Sequence, residues 1–454
     1  MEEKRTAAAG ARALGRKAGA RLRGMALDTR PLRTPAYRRL LAGQAAAYVG
    51  IMLTGVAVPV QVYSLTRSSF YVGVTAMAEF VPIVVFGLYG GAIADRVDRR
   101  ALFLRTSLLA WAMTLGLLVQ AVAGLRSPAV IIALVAVQAA AFAVSSSTQG
   151  AIIPRIVPAE QVAAANTLNF TTGNLGQVLG PLAAGGLVAL PSGFAWAYGA
   201  DAALFTLLLH SALRLPPIRP RGAEHSRGLR SVYEGLRFIG TNPVLVMSFT
   251  ADIAAMVLAM PRALFPEAAA VRFHGGVGPL YSAIAAGSLV AGLCSGWIGR
   301  VRRQGVALTL AVIGWAGAVA LAGLAHRLWT AAALLMLAGA ADLVSAVYRQ
   351  TILQTFVPDR MRGRMQGVYT VVVSGGPRLG DLRAGSLAAL TTLGVAWSGS
   401  ALLCLLLVAV CALSVRPFWR YEAPHPAAPK PRAPGDGPQP VRAEEPGPGP
   451  AAPS

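Results

Sequence analysis

Apolar residues fill this chain in runs of about twenty, each interrupted by a short polar or glycine-rich interval. A helix of that length crosses a hydrocarbon core. The runs do not alternate with period two, which excludes a membrane β-barrel. The stretches lie at roughly 40–64, 70–93, 101–124, 129–149, 163–189, 194–213, 243–267, 279–299, 305–324, 329–353, 365–390 and 393–414. The pattern predicts an all-α membrane protein with about twelve transmembrane helices in two six-helix pseudo-symmetric halves.

A faint internal repeat supports the division into halves. Val144-Ser145, Ile152 and Val157-Pro158 recur 200 residues later as Val344-Ser345, Ile352 and Val357-Pro358. The match pairs the fourth stretch with the tenth. The expected organisation is a basic cytosolic tail (1–38), a first half (39–214), a cytosolic linker (215–240), a second half (241–415) and a Pro-rich disordered tail (416–454). Glu2 and Glu3 fit a plain basic tail better than a transit peptide, and Met25 is an alternative start. The linker holds Pro216, Pro217 and Pro220 and one short amphipathic piece, Leu229 to Ile239.

Composition agrees with the pattern, since 55% of residues are hydrophobic and only 13% charged. The net charge of +22 does not point to nucleic acid, because the basic residues punctuate apolar runs and form no patch; attraction to anionic lipid and control of topology account for them. With the N-terminus inside, the inner loops collect Arg96, Arg99, Arg100, Arg155, Arg214 and the arginines of 219–230, 300–303 and 360–364. The outer loops keep little beyond Arg67, Arg126, Arg272 and Arg327. Both termini are therefore expected in the cytosol, in a multi-pass protein of the cytoplasmic (inner) membrane. Cys294, Cys404 and Cys411 lie in apolar runs without metal-like spacing and read as buried hydrophobes. No Walker loop, zinc-type cluster or catalytic triad context appears, so neither an enzyme nor a cofactor is expected.

The densest polar interruption is Gly90-Gly91-Ala92-Ile93-Ala94-Asp95-Arg96-Val97-Asp98-Arg99-Arg100. Gly91 allows close helix approach. Asp95 can accept hydrogen bonds at a helix N-terminus. Arg96, Arg99 and Arg100 can bind lipid phosphate or acidic groups on the other half. Together they fit a cytosolic gate, against the plainer reading of a solvated topogenic loop. A faded counterpart is Gly299 to Arg303. In the fifth stretch, Gly176, Gly180 and Ala184 share one face beside Pro181 and Gly185, a pattern for tight packing with a kink. Upstream, Asn166, Asn169, Gly173 and Gln177 share a face that either lines a substrate path or joins helices.

Charges inside apolar runs are costly in lipid and mark sites. Glu79 and Asp252 have no opposite charge nearby in sequence and are the candidate proton carriers, because a low-dielectric setting favours a neutral carboxyl. Asp342 and Arg349, and likewise Arg378 and Asp381, have spacings that permit internal ion pairs, either structural or switching. Asp201, Arg262 and Glu267 fall nearer helix ends and read as interfacial.

The charged loop resembles the one between the second and third helices of major facilitator transporters. The likeness runs from about Pro35 to Pro417. It is strongest to the group of the enterobactin exporter, the transmembrane secretion effectors, through Val56-Ala57-Val58-Pro59-Val60-Gln61, Ala94-Asp95-Arg96, Ala195-Trp196-Ala197-Tyr198-Gly199, Leu264-Phe265-Pro266, Leu353-Gln354-Thr355, Gly363-Arg364 and Gly380-Asp381. Asp98 departs from the wider family, where glycine is usual, and agrees with this group. The resemblance implies proton-driven efflux by alternating access of the halves. It implies a siderophore or other amphipathic small molecule as cargo, with multidrug efflux as the alternative and a non-transporting receptor or scaffold as a more distant one. Expected partners are the small-molecule substrate, protons and membrane lipids, with no nucleic acid, and a monomer is expected.

Overall fold

The structure, a computed structural model, describes residues 28–94, 97–214, 229–357, 362–419 and 421, and among them every regular element is helical. The first group of long helices is α1 (Pro35–Thr66), α2 (Ser69–Ala94), α3 (Arg99–Val122), α4 (Pro128–Ile156), α5 (Val162–Val188) and α6 (Gly193–Leu213). The amphipathic stretch after residue 228 forms α7 (Leu229–Gly240). Next come α8 (Pro243–Leu258), the short α9 (Phe265–Val271), α10 (Val277–Leu293), α11 (Gln304–Leu324), α12 (Leu328–Phe356), α13 (Arg362–Leu390), α14 (Ser400–Ser414) and the short α15 (Arg416–Trp419). Residues 1–27, 215–228 and 422–454, which hold most of the expected tails and linker, lie outside the described residues.

Local chemistry sets the helix ends. α1, α4 and α8 each open with a proline in the first turn, where no N–H partner is lost. Asn242 caps α8 by accepting from the Val244 N–H at 2.9 Å. Asp98 caps α3 by accepting from the Ala101 N–H at 3.0 Å, so the acidic residue of the charged loop has a structural use. α4 and α12 are both 29 residues long, with bounds 200 residues apart. Ile152 and Ile352, matched in the repeat, are both fully buried.

Each predicted stretch contains a helix, the seventh with a break inside it, but apolarity is uneven. Eight described segments are long and apolar enough to cross a membrane, and α5, α6, α10 and α13 are not among them. α10 is apolar but has only 17 residues. α5 carries asparagines, Gln177 and several glycines, α6 carries Asp201 and His210, and α13 carries Arg378, Asp381 and Arg383. These helices give up hydropathy for polar groups that the fold turns inward: Asp201 and Asp381 are both buried.

In the first group α1 packs along α5 and α6, α2 along α4, and α3 against α4 and α6. In the second, α12 packs on α10 and α11, α14 on α11 and α8, and α13 on α8. Two long pairings join the groups, α2 with α13 and α5 with α10. At one end these pairings bring backbone onto backbone. A Cβ at Gly73 would come within 2.8 Å of the Asp381 carbonyl and the Leu382 Cα. One at Gly185 would sit 2.6 Å from the Gly278 backbone, and one at Gly385 would overlap the Ser69 carbonyl. Ser69 also donates a hydrogen bond to Glu267. This end, with the turns at 67–68, 189–192, 272–276 and 391–394, is therefore closed.

Candidate functional site

Where the two groups meet, the helices enclose a cavity of about 520 Å³, a size that suits a drug-like molecule. Its wall is mostly aliphatic, with a sparse polar set: Thr54, Glu79, Gln138, Asn174, Gln177, Tyr281 and Ser288 among them. Asp342, Asp381, Arg262 and Arg378 complete the charges. One acid of the first group, Glu79, thus shares the chamber with two acids and two bases of the second. Glu79 has no ion pair among the described residues, and Arg378 and Asp381 act on it electrostatically.

The seventh apolar run is not a continuous helix. α8 stops at Leu258, and Ala259 to Pro261 separate it from a 3-10 turn at Arg262–Leu264 that leads into α9. Pro261 lacks an N–H and ends the ladder. Backbone groups freed within a membrane need partners, and α13 supplies them. Asp381 Oδ1 accepts from the Ala263 N–H at 3.0 Å. Arg383 donates to the carbonyls of Val257 at 2.9 Å, Leu258 at 2.5 Å and Ala396 at 3.2 Å. The break carries Arg262 into the cavity, and the Arg262 carbonyl accepts from the Tyr281 hydroxyl at 3.1 Å. Arg383→Met should therefore destabilise the protein by about 1–3 kcal/mol for carbonyls left without a donor. Arg383→Lys should recover part of that loss in a thermal-shift assay in detergent.

Several sequence expectations change here. Asp252 has no opposite charge nearby in sequence, but Arg349 donates directly to its Oδ1, and both side chains are buried. The other end of the Arg349 guanidinium lies 3.7 Å from Asp342, so the expected Asp342–Arg349 pair is present and extended. Distance along the chain hid the partner: Asp252 and Arg349 are 97 residues apart. Arg378 and Asp381 form no ion pair. Arg378 donates to the Ser374 carbonyl at 2.8 Å, and Asp381 serves the break. Arg262 is not interfacial but lines the cavity. Asp201, also read as interfacial, is fully buried.

The amide row on α5 meets the cavity only at its later end. Gln177 lines the cavity together with Asn174, which the sequence reading passed over; Asn166 is exposed, and neither it nor Asn169 reaches the wall. The glycine motif serves two neighbours. Gly176 and Gly180 pack on Tyr48 and Met52 of α1, while Gly185 meets Gly278 of α10. Pro181 lines the cavity between them. In the charged loop, Gly91 belongs to α2, and Asp95 and Arg96 lie outside the described residues. Arg99 opens α3. Arg100 donates to the Leu213 carbonyl at the end of α6 at 2.5 Å, a contact within the first group and not across to the second.

The chain matches the model of the transmembrane secretion effector family over residues 27–434. It is 31% identical over 367 residues to the enterobactin exporter EntS of Shigella boydii serotype 18, covering 79% of this chain and 86% of that protein. With the enterobactin exporter EntS of Citrobacter koseri it shares 30% over 368 residues, with the same coverage. Among solved structures it resembles a bacterial homologue of the human lysosomal transporter Spinster, inward-facing and unoccupied. The TM-score there is 0.66 at 15% identity, covering 86% of this chain and 97% of that one. The nucleoside transporter NupG aligns with a TM-score of 0.66 at 14% identity, covering 85% and 99%. These two likenesses concern the fold.

Proposed function

We infer a function from one premise: the chain belongs to the transmembrane secretion effector family of major facilitator transporters. On that premise it is a secondary transporter that exports a siderophore or chemically similar amphipathic small molecule across the cytoplasmic membrane. The observation that carries this reading is the charged cavity bounded by both helix groups and closed at one end. Twelve spans then form two six-span halves, α1–α6 and α8–α14, with the broken α8 and α9 together making one span. With the arginine-rich turns in the cytosol, the closed end faces outward, and cargo enters from the cytosol or inner leaflet.

Glu79 is the proposed proton carrier of the cavity. It stands unpaired on the wall, across from Arg378 and Asp381. Binding of cargo and proton has to favour the inward- and outward-open states differently, as any such switch requires. The acid and base residues of the wall supply those differential contacts. Asp252, ion-paired with Arg349, is the weaker candidate.

Two measurements test the reading. A deletion strain grown under iron limitation should lose one extracellular chelator and regain it when the wild-type chain is restored. Altered drug susceptibility without loss of a chelator would favour multidrug efflux instead. In proteoliposomes, Glu79→Gln should reduce cargo-coupled proton movement at least about tenfold, the lower range for a positioned proton-transfer group being about 100-fold. Unchanged coupling would remove Glu79 from the mechanism.

A further inference from the structure

A second carboxyl lies behind the cavity wall, outside the mechanism described above. Asp201 of α6 is fully buried. Its Oδ2 and the Thr54 hydroxyl oxygen share a hydrogen bond at 2.6 Å, while its Oδ1 is buried without a hydrogen-bond partner. Oδ1 occupies the space left by Gly50 of α1, where any Cβ would overlap it. Among the described residues no cation pairs with Asp201, and no charged group acts on it. The helices packed on α6 explain why. α5 contains no ionisable residue. α1 presents Thr54, with Tyr48 turned toward Gly173 and Gly176. α3 presents Thr114 and Trp111. On α6 itself, the Tyr198 hydroxyl is engaged with Gln61 at 2.7 Å.

An ion held here without a counter-charge is strongly disfavoured by its loss of hydration, and protonation removes the charge. The carboxyl is also connected to the cavity. Thr54 and Gln138 both line the wall. Gln138 Nε2 donates to Thr114 Oγ1 at 2.9 Å, and Thr114 stands beside the carboxyl. We propose that Asp201 is a proton-binding site, loaded in the conformation seen here, which exchanges its proton with cavity water through the Thr54 hydroxyl. In the loaded state the Oδ2–H donates to Thr54 Oγ1. On release that O–H bond breaks and a new one forms at Thr54, whose own proton passes to a cavity water; reloading runs in reverse. The use of this site in coupling rests on the transport reading, whereas its protonation does not.

The test needs no cargo. Infrared spectra of the full-length protein in lipid, compared between H₂O and D₂O across a pH series, should show a carboxylic acid carbonyl band at neutral pH. Asp201→Asn should abolish that band, and Glu79→Gln, Asp342→Asn and Asp381→Asn should leave it. If Asp201→Asn does not fold, Thr54→Val offers a second handle: loss of the Thr54 hydrogen bond should move the same band to higher frequency without removing it. A neutral-pH spectrum that neither variant alters overturns the proposal. So does a band that appears only in sodium-free buffer, which would make the carboxylate a metal-cation site.

Discussion

Asp252→Leu is expected to lower the stability of the protein by about 3–5 kcal/mol, the usual cost of leaving one member of a buried ion pair alone. Arg349 would then keep only Asp342, at 3.7 Å and partly exposed, and its Nε already has no hydrogen-bond partner. The double change Asp252→Leu with Arg349→Met should lose much less, because no charge is stranded. Thermal unfolding in detergent of the two singles and the double gives the coupling energy directly. A loss in the double variant equal to the sum of the two single losses would mean that the pair carries no such interaction. The cycle also separates structure from transport. If Asp252 serves only to fix α8 against α12, the double variant keeps its activity together with its fold.

Leucine at Gly73 or Gly385 is expected to force the closed end apart. Both glycines bring α2 onto α13 with no room for a Cβ. Overpacking of this kind costs about 1–3 kcal/mol, and the cost falls on the closed state alone. The ratio of closed to open molecules should therefore shift by about 5- to 150-fold. A single cysteine on the cavity wall, such as Ala76→Cys, reports it through labelling by a membrane-impermeant maleimide. Labelling from the side of the closed end should rise steeply with either leucine. A matched leucine at Gly87, where a Cβ meets nothing within 4 Å, should leave it unchanged. No increase with Gly73→Leu or Gly385→Leu would show that this seam is not a gate.

Most of the helical layout was legible because each apolar run needs about the same length to cross lipid. The charge map was only half legible. A spacing of three or four within one helix reveals pairs such as Asp342 and Arg349, but says nothing of Asp252, which joins them from another helix. The same blindness made Arg378 and Asp381 look like a pair. Their spacing permits contact, yet the break after Leu258 competes for Asp381 and wins through the Ala263 N–H. Pro261 was the available signal for that break, and a run of apolar residues around it masked the interruption. Arg383 carries no motif at all. Its role exists only because the carbonyls of Val257 and Leu258 need a donor. On α5, Asn166 shares the face of Gln177 but lies about three turns away along the axis, so spacing alone could not say which level of the helix meets the cavity.

The 97 residues that separate Asp252 from Arg349 also set a clock during synthesis. At about 5–20 residues per second, α8 leaves the ribosome roughly 5–20 seconds before its counter-ion exists. For that interval the nascent chain holds a lone carboxyl at membrane depth, where an aspartate costs about 2.5–3.5 kcal/mol on insertion scales. The helix must wait beside the insertion machinery or against the six helices already made. A stall between α8 and α12 should therefore leave a fragment prone to clearance by membrane proteases.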